Sequence, residues 1–173
     1  LAGDDPSAAR EAARINARLI ADDLYDLGIT INCAPVLDIP VPGAHDVIGD
    51  RAFGVDPETT AELGGAVCDG LMAGGILPVI KHMPGHGRTS VDSHHSLPRT
   101  DASLETLRES DFAPFAALSD RPWAMTAHMV YSAIDEAAAT VSKVLIEGTI
   151  RGDFGFDGVL FSDDLSMEAL GGS

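Results

Sequence analysis

The sequence alternates between amphipathic stretches and short apolar runs, and it does so four times along the chain. The spacing of apolar residues, together with Gly and Pro punctuation, predicts helices over residues 6–27, 57–73, 103–118 and 142–151. Apolar runs predict buried strands within residues 28–40, 76–82, 123–131 and 158–165. Because no hairpin signal separates the strands, the pattern predicts an α/β fold with parallel strands.

Polar residues follow each predicted strand at the point where it ends. They are Asp38, Lys81 with His82, Thr126 with His128, and Ser162 with Asp163. The carboxyl ends of parallel strands share one edge of a sheet, so this edge is the expected place for chemistry.

The absence of a Gly-x-Gly-x-x-Gly motif after any strand disfavours a dinucleotide-binding fold, and a (βα)8 TIM-type barrel is the better prediction. Such a barrel needs about 250 residues, so four helix–strand units cover roughly half of one. We predict a single incomplete catalytic barrel domain over residues 1–173, with an open sheet as the alternative.

Charge and cysteine content exclude several classes of function. The formal net charge of −16 disfavours nucleic acid and anionic membranes as partners. No secretory signal and no apolar run of about 18 residues is visible. Cys33 and Cys68 form no Cys-x-x-Cys pair, so we expect two small core residues and a reducing, cytoplasmic location.

Four of the six histidines lie in one stretch, "KHMPGHGRTSVDSHHSLP", at residues 81–98. A metal site, an acid/base site and a merely polar loop are the alternatives. His82 and His86 are separated by Pro84 and Gly85, so they do not share a helix face, and no His-Glu-x-x-His is present. The ligand pattern therefore disfavours a metal.

An acid/base pair is possible at Asp92 and His94, which are separated by one residue. In an extended loop these two side chains point the same way, so the carboxylate could set the imidazole tautomer. Asp-x-His also occurs by chance, and a loop histidine with no catalytic role is the alternative.

The strand "GVLFSDDL" delivers Asp163 and Asp164 to its carboxyl end. A carboxylate at this position either works on a substrate or caps a following helix, and Asp164 fits the cap better than Asp163. Arg51, on a glycine-flanked loop, and Lys81, at the end of a buried strand, could each bind a ligand or form a structural ion pair.

Taken together, "IGDRAFG", "KHMPGHGRT", "DSHHSLP" and "GFDGVLFSDDLSMEAL" closely resemble the motifs of glycoside hydrolase family 3 β-N-acetylglucosaminidases, the bacterial enzymes of cell-wall recycling. The resemblance spans roughly residues 28–170, with Met83 where phenylalanine is usual. It implies a barrel fold, no metal and no cofactor.

The resemblance also assigns roles. Asp163 matches the nucleophile, His94 the general acid/base and Asp92 its partner. The residues that match those binding the hydroxyls of a terminal N-acetylglucosamine are Arg51, Lys81 and His82. The family's other barrel units, including an early Asp and Arg that bind sugar, are expected outside this chain, which alone could then be inactive.

The function predicted in this way is a retaining exo-β-N-acetylglucosaminidase acting on an N-acetylglucosamine-containing saccharide or muropeptide. A β-N-acetylglucosaminide phosphorylase or a β-glucosidase on the same scaffold is one alternative. A sugar-binding module without turnover is a second alternative, and a metal hydrolase is a third.

Overall fold

The computed structural model describes residues 5–44, 47–89 and 97–166. Its helices are α1 (Pro6–Asp26), α2 (Pro57–Ala73), α3 (Leu104–Glu109) and α4 (Ala113–Ala117), with a 3-10 turn at Gly49–Arg51 and a π-helix at Val144–Asp153. Its strands are β1 (Ile31–Asn32), β2 (Leu77–Met83), β3 (Arg99–Thr100), β4 (Trp123–Thr126), β5 (Val130–Tyr131), β6 (Asp135–Ala138) and β7 (Val159–Phe161).

The main sheet has the order β1-β2-β4-β7, and every neighbouring pair is parallel. Helices lie between these strands in the sequence, which confirms the predicted alternation and parallel sheet. Strands β3, β5 and β6 form a second, smaller sheet in which β5 and β6 are antiparallel. This hairpin has no signal in the sequence, because residues 132–134 connect β5 to β6 without the Gly or Asn that usually marks such a turn.

The first two helices begin where capping chemistry places them. The Asp5 carboxylate accepts the Ala8 amide at 3.0 Å, and the Asp56 carboxylate accepts the Thr59 amide at 2.7 Å. Each cap is followed by a proline at the first helical position, which lacks the N–H that would otherwise need a partner. Both predicted helices are confirmed.

Helix α1 packs on α2 through small residues. Ala17 and Ala21 are buried, and a Cβ added at Gly70 of α2 would lie 2.2 Å from the Arg14 carbonyl oxygen. This close approach leaves the larger apolar residues of α1 outside the contact, so Ile15 is 46% exposed and Leu19 61% exposed. The apolar spacing that predicted the helix does not mark its buried face.

The third predicted helix is two helices. Residue Ser110 ends α3 with φ −123° and ψ −85°, and Pro114 lies in the first turn of α4. Proline in a helix interior removes a hydrogen bond and clashes with the preceding turn, so a continuous helix over residues 103–118 is excluded. The strand predicted over residues 123–131 is likewise divided between β4 and β5.

The core between the main sheet and its helices is richer in aromatic residues than the overall composition indicates. Phe112, Phe115, Phe156 and Tyr131 are among its largest fully buried side chains. Cys68 is buried, as expected, whereas Cys33 is exposed, so its predicted core role was wrong. Among the residues described, no helix is both long and apolar enough to cross a membrane.

Candidate active site at the carboxyl edge of the sheet

The segment after β1 runs beside the end of β2. Val36 forms a parallel bridge with Lys81, and the Leu37 amide donates to the Lys81 carbonyl at 2.7 Å. These backbone contacts bring Asp38 next to His82. The polar residues that the sequence placed at two successive strand ends therefore meet.

The Asp38 carboxylate is fully buried and pairs with the His82 ring. Asp38 Oδ2 lies 2.6 Å from His82 Nδ1, and Asp38 Oδ1 accepts the His86 amide at 2.6 Å. Burial by itself would raise the pKa of Asp38, but the charge of His82 and the hydrogen bonds from His82 and His86 outweigh it and hold that pKa below its usual value. Asp38 is therefore an acceptor for both histidines.

Residue Asp163 follows β7, and its carboxylate faces the other side of the same ring. Asp163 Oδ2 lies 3.9 Å from His82 Nε2, and Oδ1 accepts the Asp164 amide at 2.9 Å. The Asp163 side chain is 28% exposed, so a ligand can reach it. His82 thus lies between a buried carboxylate and an accessible one.

A second buried histidine holds the turn after Asp163. His128 Nε2 lies 2.9 Å from the Asp164 carbonyl oxygen, and Nδ1 lies 2.7 Å from Thr140 Oγ1. A carbonyl can only accept, so Nε2 carries a proton, and the Thr140 hydroxyl donates to the Ala127 carbonyl at 3.1 Å. The Asp164 carboxylate accepts the Ser166 amide at 2.8 Å, and the helix that it was expected to cap lies outside the described residues.

The turn after β2 is packed against the Asp38 segment. A Cβ at Gly87 would lie 1.9 Å from the Ile39 carbonyl oxygen, so only glycine fits there. Arg88 Nε donates to the buried Asp111 carboxylate at 2.6 Å. Burial lowers the pKa of His86, whose Nδ1 has no hydrogen-bond partner among the described residues.

The other predicted sugar-binding residues are not drawn into this cluster. The Arg51 guanidinium donates to the carbonyls of Val47 at 2.6 Å and Ile48 at 3.3 Å, within its own loop. For the Lys81 ammonium, the described part of the chain provides neither a hydrogen bond nor an ion pair. The predicted dyad, Asp92 and His94, lies outside the described residues.

The sequence pattern marks Asp38 only as a polar residue at a strand end and does not identify it as a site residue. The signal that could have identified it is a carboxylate within the apolar run "APVLDI", which needs a partner if it is buried. Among the described residues, no cluster of three or more His, Cys, Asp or Glu side chains could hold a metal ion.

Comparison with known proteins identifies the family of this chain. The profile of the glycosyl hydrolase family 3 N-terminal domain matches residues 4–172. A β-hexosaminidase of Bordetella avium is 39% identical over 166 residues, which is 95% of this chain and 47% of that protein. The chain therefore spans about half the length of the curated relatives it matches.

Two solved structures are also similar. A glycoside hydrolase family 3 β-N-acetylglucosaminidase from Paenibacillus sp. FPU-7 has a TM-score of 0.88 and 40% identity, covering 93% of this chain and 31% of that one. NagZ from Neisseria gonorrhoeae, solved in complex with N-trifluoroacetyl-D-glucosamine, has a TM-score of 0.88 and 41% identity, covering 92% of this chain and 48% of that one.

Proposed function

Since the chain belongs to glycosyl hydrolase family 3, we propose that the protein is a retaining exo-β-N-acetylglucosaminidase with Asp163 as its nucleophile. The observation that carries the proposal is the position of the Asp163 carboxylate, which is accessible at the carboxyl edge of the parallel sheet and lies 3.9 Å from His82 Nε2. In parallel α/β folds this edge is where substrates bind.

The proposed reaction has two steps. In the first, Asp163 attacks the anomeric carbon and forms a covalent glycosyl ester while His94 protonates the leaving oxygen. In the second, His94 takes a proton from water, which attacks the same carbon and releases Asp163. Asp92 accepts a hydrogen bond from the other ring nitrogen of His94 and stays ionised. Two inversions at one carbon retain the β configuration.

The substrate proposed is a saccharide with a terminal β-linked N-acetylglucosamine. The complex of the Neisseria gonorrhoeae relative with an N-acylated glucosamine supports this choice. We propose that the sugar hydroxyls are bound by Arg51, Lys81 and His82. Lys81 is well suited to this role because its ammonium has no ion-pair partner among the described residues, while Arg51 would exchange its carbonyl contacts for the sugar.

We further propose that the domain formed by residues 1–173 is part of a larger catalytic barrel and that the natural substrates are anhydro-muropeptides of cell-wall recycling in the cytoplasm. The motif resemblance and the family membership support both statements. The chain spans about half the length of its curated relatives, which supports the first of these two proposals.

The test uses the protein at its full natural length with an aryl β-N-acetylglucosaminide. We expect turnover to be lost in Asp163→Ala and kept in Asp157→Ala, an exposed carboxylate just before β7. Unchanged turnover in Asp163→Ala would exclude this nucleophile. Release of sugar 1-phosphate instead of free sugar when phosphate is added would identify a phosphorylase.

A further inference from the structure

We propose that Asp38 is a positioning residue for this reaction, holding a proton on His82 Nδ1 so that His82 Nε2 is presented to the sugar beside Asp163. The catalytic consequence of this role rests on the proposed function. The proton on His82 Nδ1 follows from the contacts that Asp38 makes with His82 and His86. The role differs from that of His82, which would touch the substrate directly.

In the contact between Asp38 and His82, the proton lies on His82 Nδ1. The Asp38 carboxylate accepts the His86 amide at 2.6 Å, and the His82 amide lies 3.3 Å from both of its oxygens. Such hydrogen bonds stabilise the ionised form, which has no proton to donate. The atom 2.6 Å from Asp38 Oδ2, His82 Nδ1, is therefore the donor.

The other ring nitrogen, His82 Nε2, faces the proposed nucleophile. When the ring is neutral and its proton is on Nδ1, Nε2 has a lone pair, and this atom faces Asp163 Oδ2 at 3.9 Å. That separation is too long for a hydrogen bond, so the lone pairs of Asp163 Oδ2 stay available for the anomeric carbon. A sugar hydroxyl entering this space can donate to Nε2.

The opposite tautomer of His82, with its proton on Nε2, would interfere with the proposed nucleophile. A proton on Nε2 would attract the Asp163 carboxylate, and a small movement from the present 3.9 Å would let Oδ2 accept a hydrogen bond from the ring instead of facing the sugar. It would also remove the acceptor offered to the sugar hydroxyl. A hydrogen-bonding partner on the far nitrogen of a histidine fixes the tautomer and ring orientation in this way.

A purely structural role does not require a carboxylate at this position. Burying a charge is costly, and a neutral amide could accept the His86 amide equally well. An amide has only one oxygen. If that oxygen accepts the His86 amide, the NH2 group faces His82 Nδ1 and cannot accept the proton there. The specific property of Asp38 is its choice of tautomer.

The test compares wild type with Asp38→Asn, again at full natural length. In the variant, the Asn oxygen keeps the His86 amide, and the Asn NH2 donates to Nδ1, moving the proton to Nε2. We expect kcat to fall about 10- to 100-fold, with the loss falling mainly on kcat and not on KM. Asp69→Asn is the matched control, because Asp69 pairs with Arg121 at 2.7 Å at the amino ends of the strands.

Nitrogen NMR of the histidine side chains shows which ring nitrogen of His82 carries the proton, and a merely structural role of Asp38 would leave that unchanged. Wild type should show a protonated Nδ1 on His82, identified by the loss of its signals in His82→Ala, and Asp38→Asn should show a protonated Nε2. An unprotonated Nδ1 in wild type overturns the proposal, and so does a folded Asp38→Asn variant with kcat within about twofold of wild type.

The two proposals fail separately. If wild type does not hydrolyse the aryl glycoside, the proposed function is wrong, while the wild-type NMR spectrum still decides the tautomer. If Asp38→Asn does not fold, the wild-type spectrum alone decides. Melting curves of both Asp→Asn variants distinguish a loss of fold from a loss of turnover.

Discussion

Replacing Gly87 with alanine should destabilise the protein by forcing apart the two segments that form the proposed site. The new Cβ would lie 1.9 Å from the Ile39 carbonyl oxygen, 2.4 Å from its carbon and 2.9 Å from its nitrogen. Unstrained contacts lie at about 3.5 Å, so one segment must move by more than about 1 Å.

The magnitude follows from what must move. Overpacking a well-packed interior costs about 1–3 kcal/mol, and here every obstructing atom is backbone, which cannot change rotamer. We therefore expect about 3 kcal/mol, which for a domain of this size lowers the melting temperature by about 6–12 °C. Because Asp38 precedes Ile39, we also expect turnover of the aryl glycoside to decrease.

Thermal unfolding followed by circular dichroism measures the effect. Gly148→Ala is the matched control, because Gly148 is exposed and a Cβ there meets nothing within 4 Å. Its melting temperature should stay close to that of wild type. A Gly87→Ala variant that melts within about 2 °C of wild type would show that the turn after β2 does not pack on the Asp38 segment as described.

Two further predictions concern a thiol and an imidazole. Burial raises the pKa of the Cys68 thiol to about 12, so a thiol reagent should modify the exposed Cys33 in the native protein and Cys68 only after denaturation; two fast thiols would contradict this. Burial holds the pKa of His86 below its ordinary value of about 6.5, so the unfolded chain takes up a proton first as the pH falls. The melting temperature should then fall as the pH drops below about 6.5, and less so in His86→Gln; parallel curves for the two proteins would contradict it.

Helix ends and the order of elements were predictable because their causes are local. Caps at Asp5 and Asp56, each followed by proline, are enough to begin α1 and α2. The break between α3 and α4 could have been predicted, since Pro114 cannot lie in the interior of a helix. It was missed because the apolar residues on both sides of Pro114 keep helical spacing. The division of the strand predicted over residues 123–131 was not readable, because it depends on which neighbour each residue pairs with.

The site was predictable in its residue types but not in its pairings. Sequence pattern placed polar residues at the strand ends, and the structure brings Asp38, His82 and Asp163 together there. The partner of His82 could not be predicted because Asp38 lies 44 residues away and meets it only through the register of the sheet. Arg51 shows the converse, since its nearest acceptors are carbonyls of its own loop.

The nucleophile is tested most directly by trapping the covalent intermediate. An aryl β-N-acetylglucosaminide with fluorine on its sugar ring slows both formation and hydrolysis of the glycosyl-enzyme. If its aryl group is a good leaving group, formation stays faster than hydrolysis. Mass spectrometry of the full-length protein should then show one added glycosyl group, which peptide mapping places on Asp163 and which Asp163→Ala lacks. A glycosyl group on another residue, or turnover that releases the α-configured sugar, would contradict a retaining mechanism through Asp163.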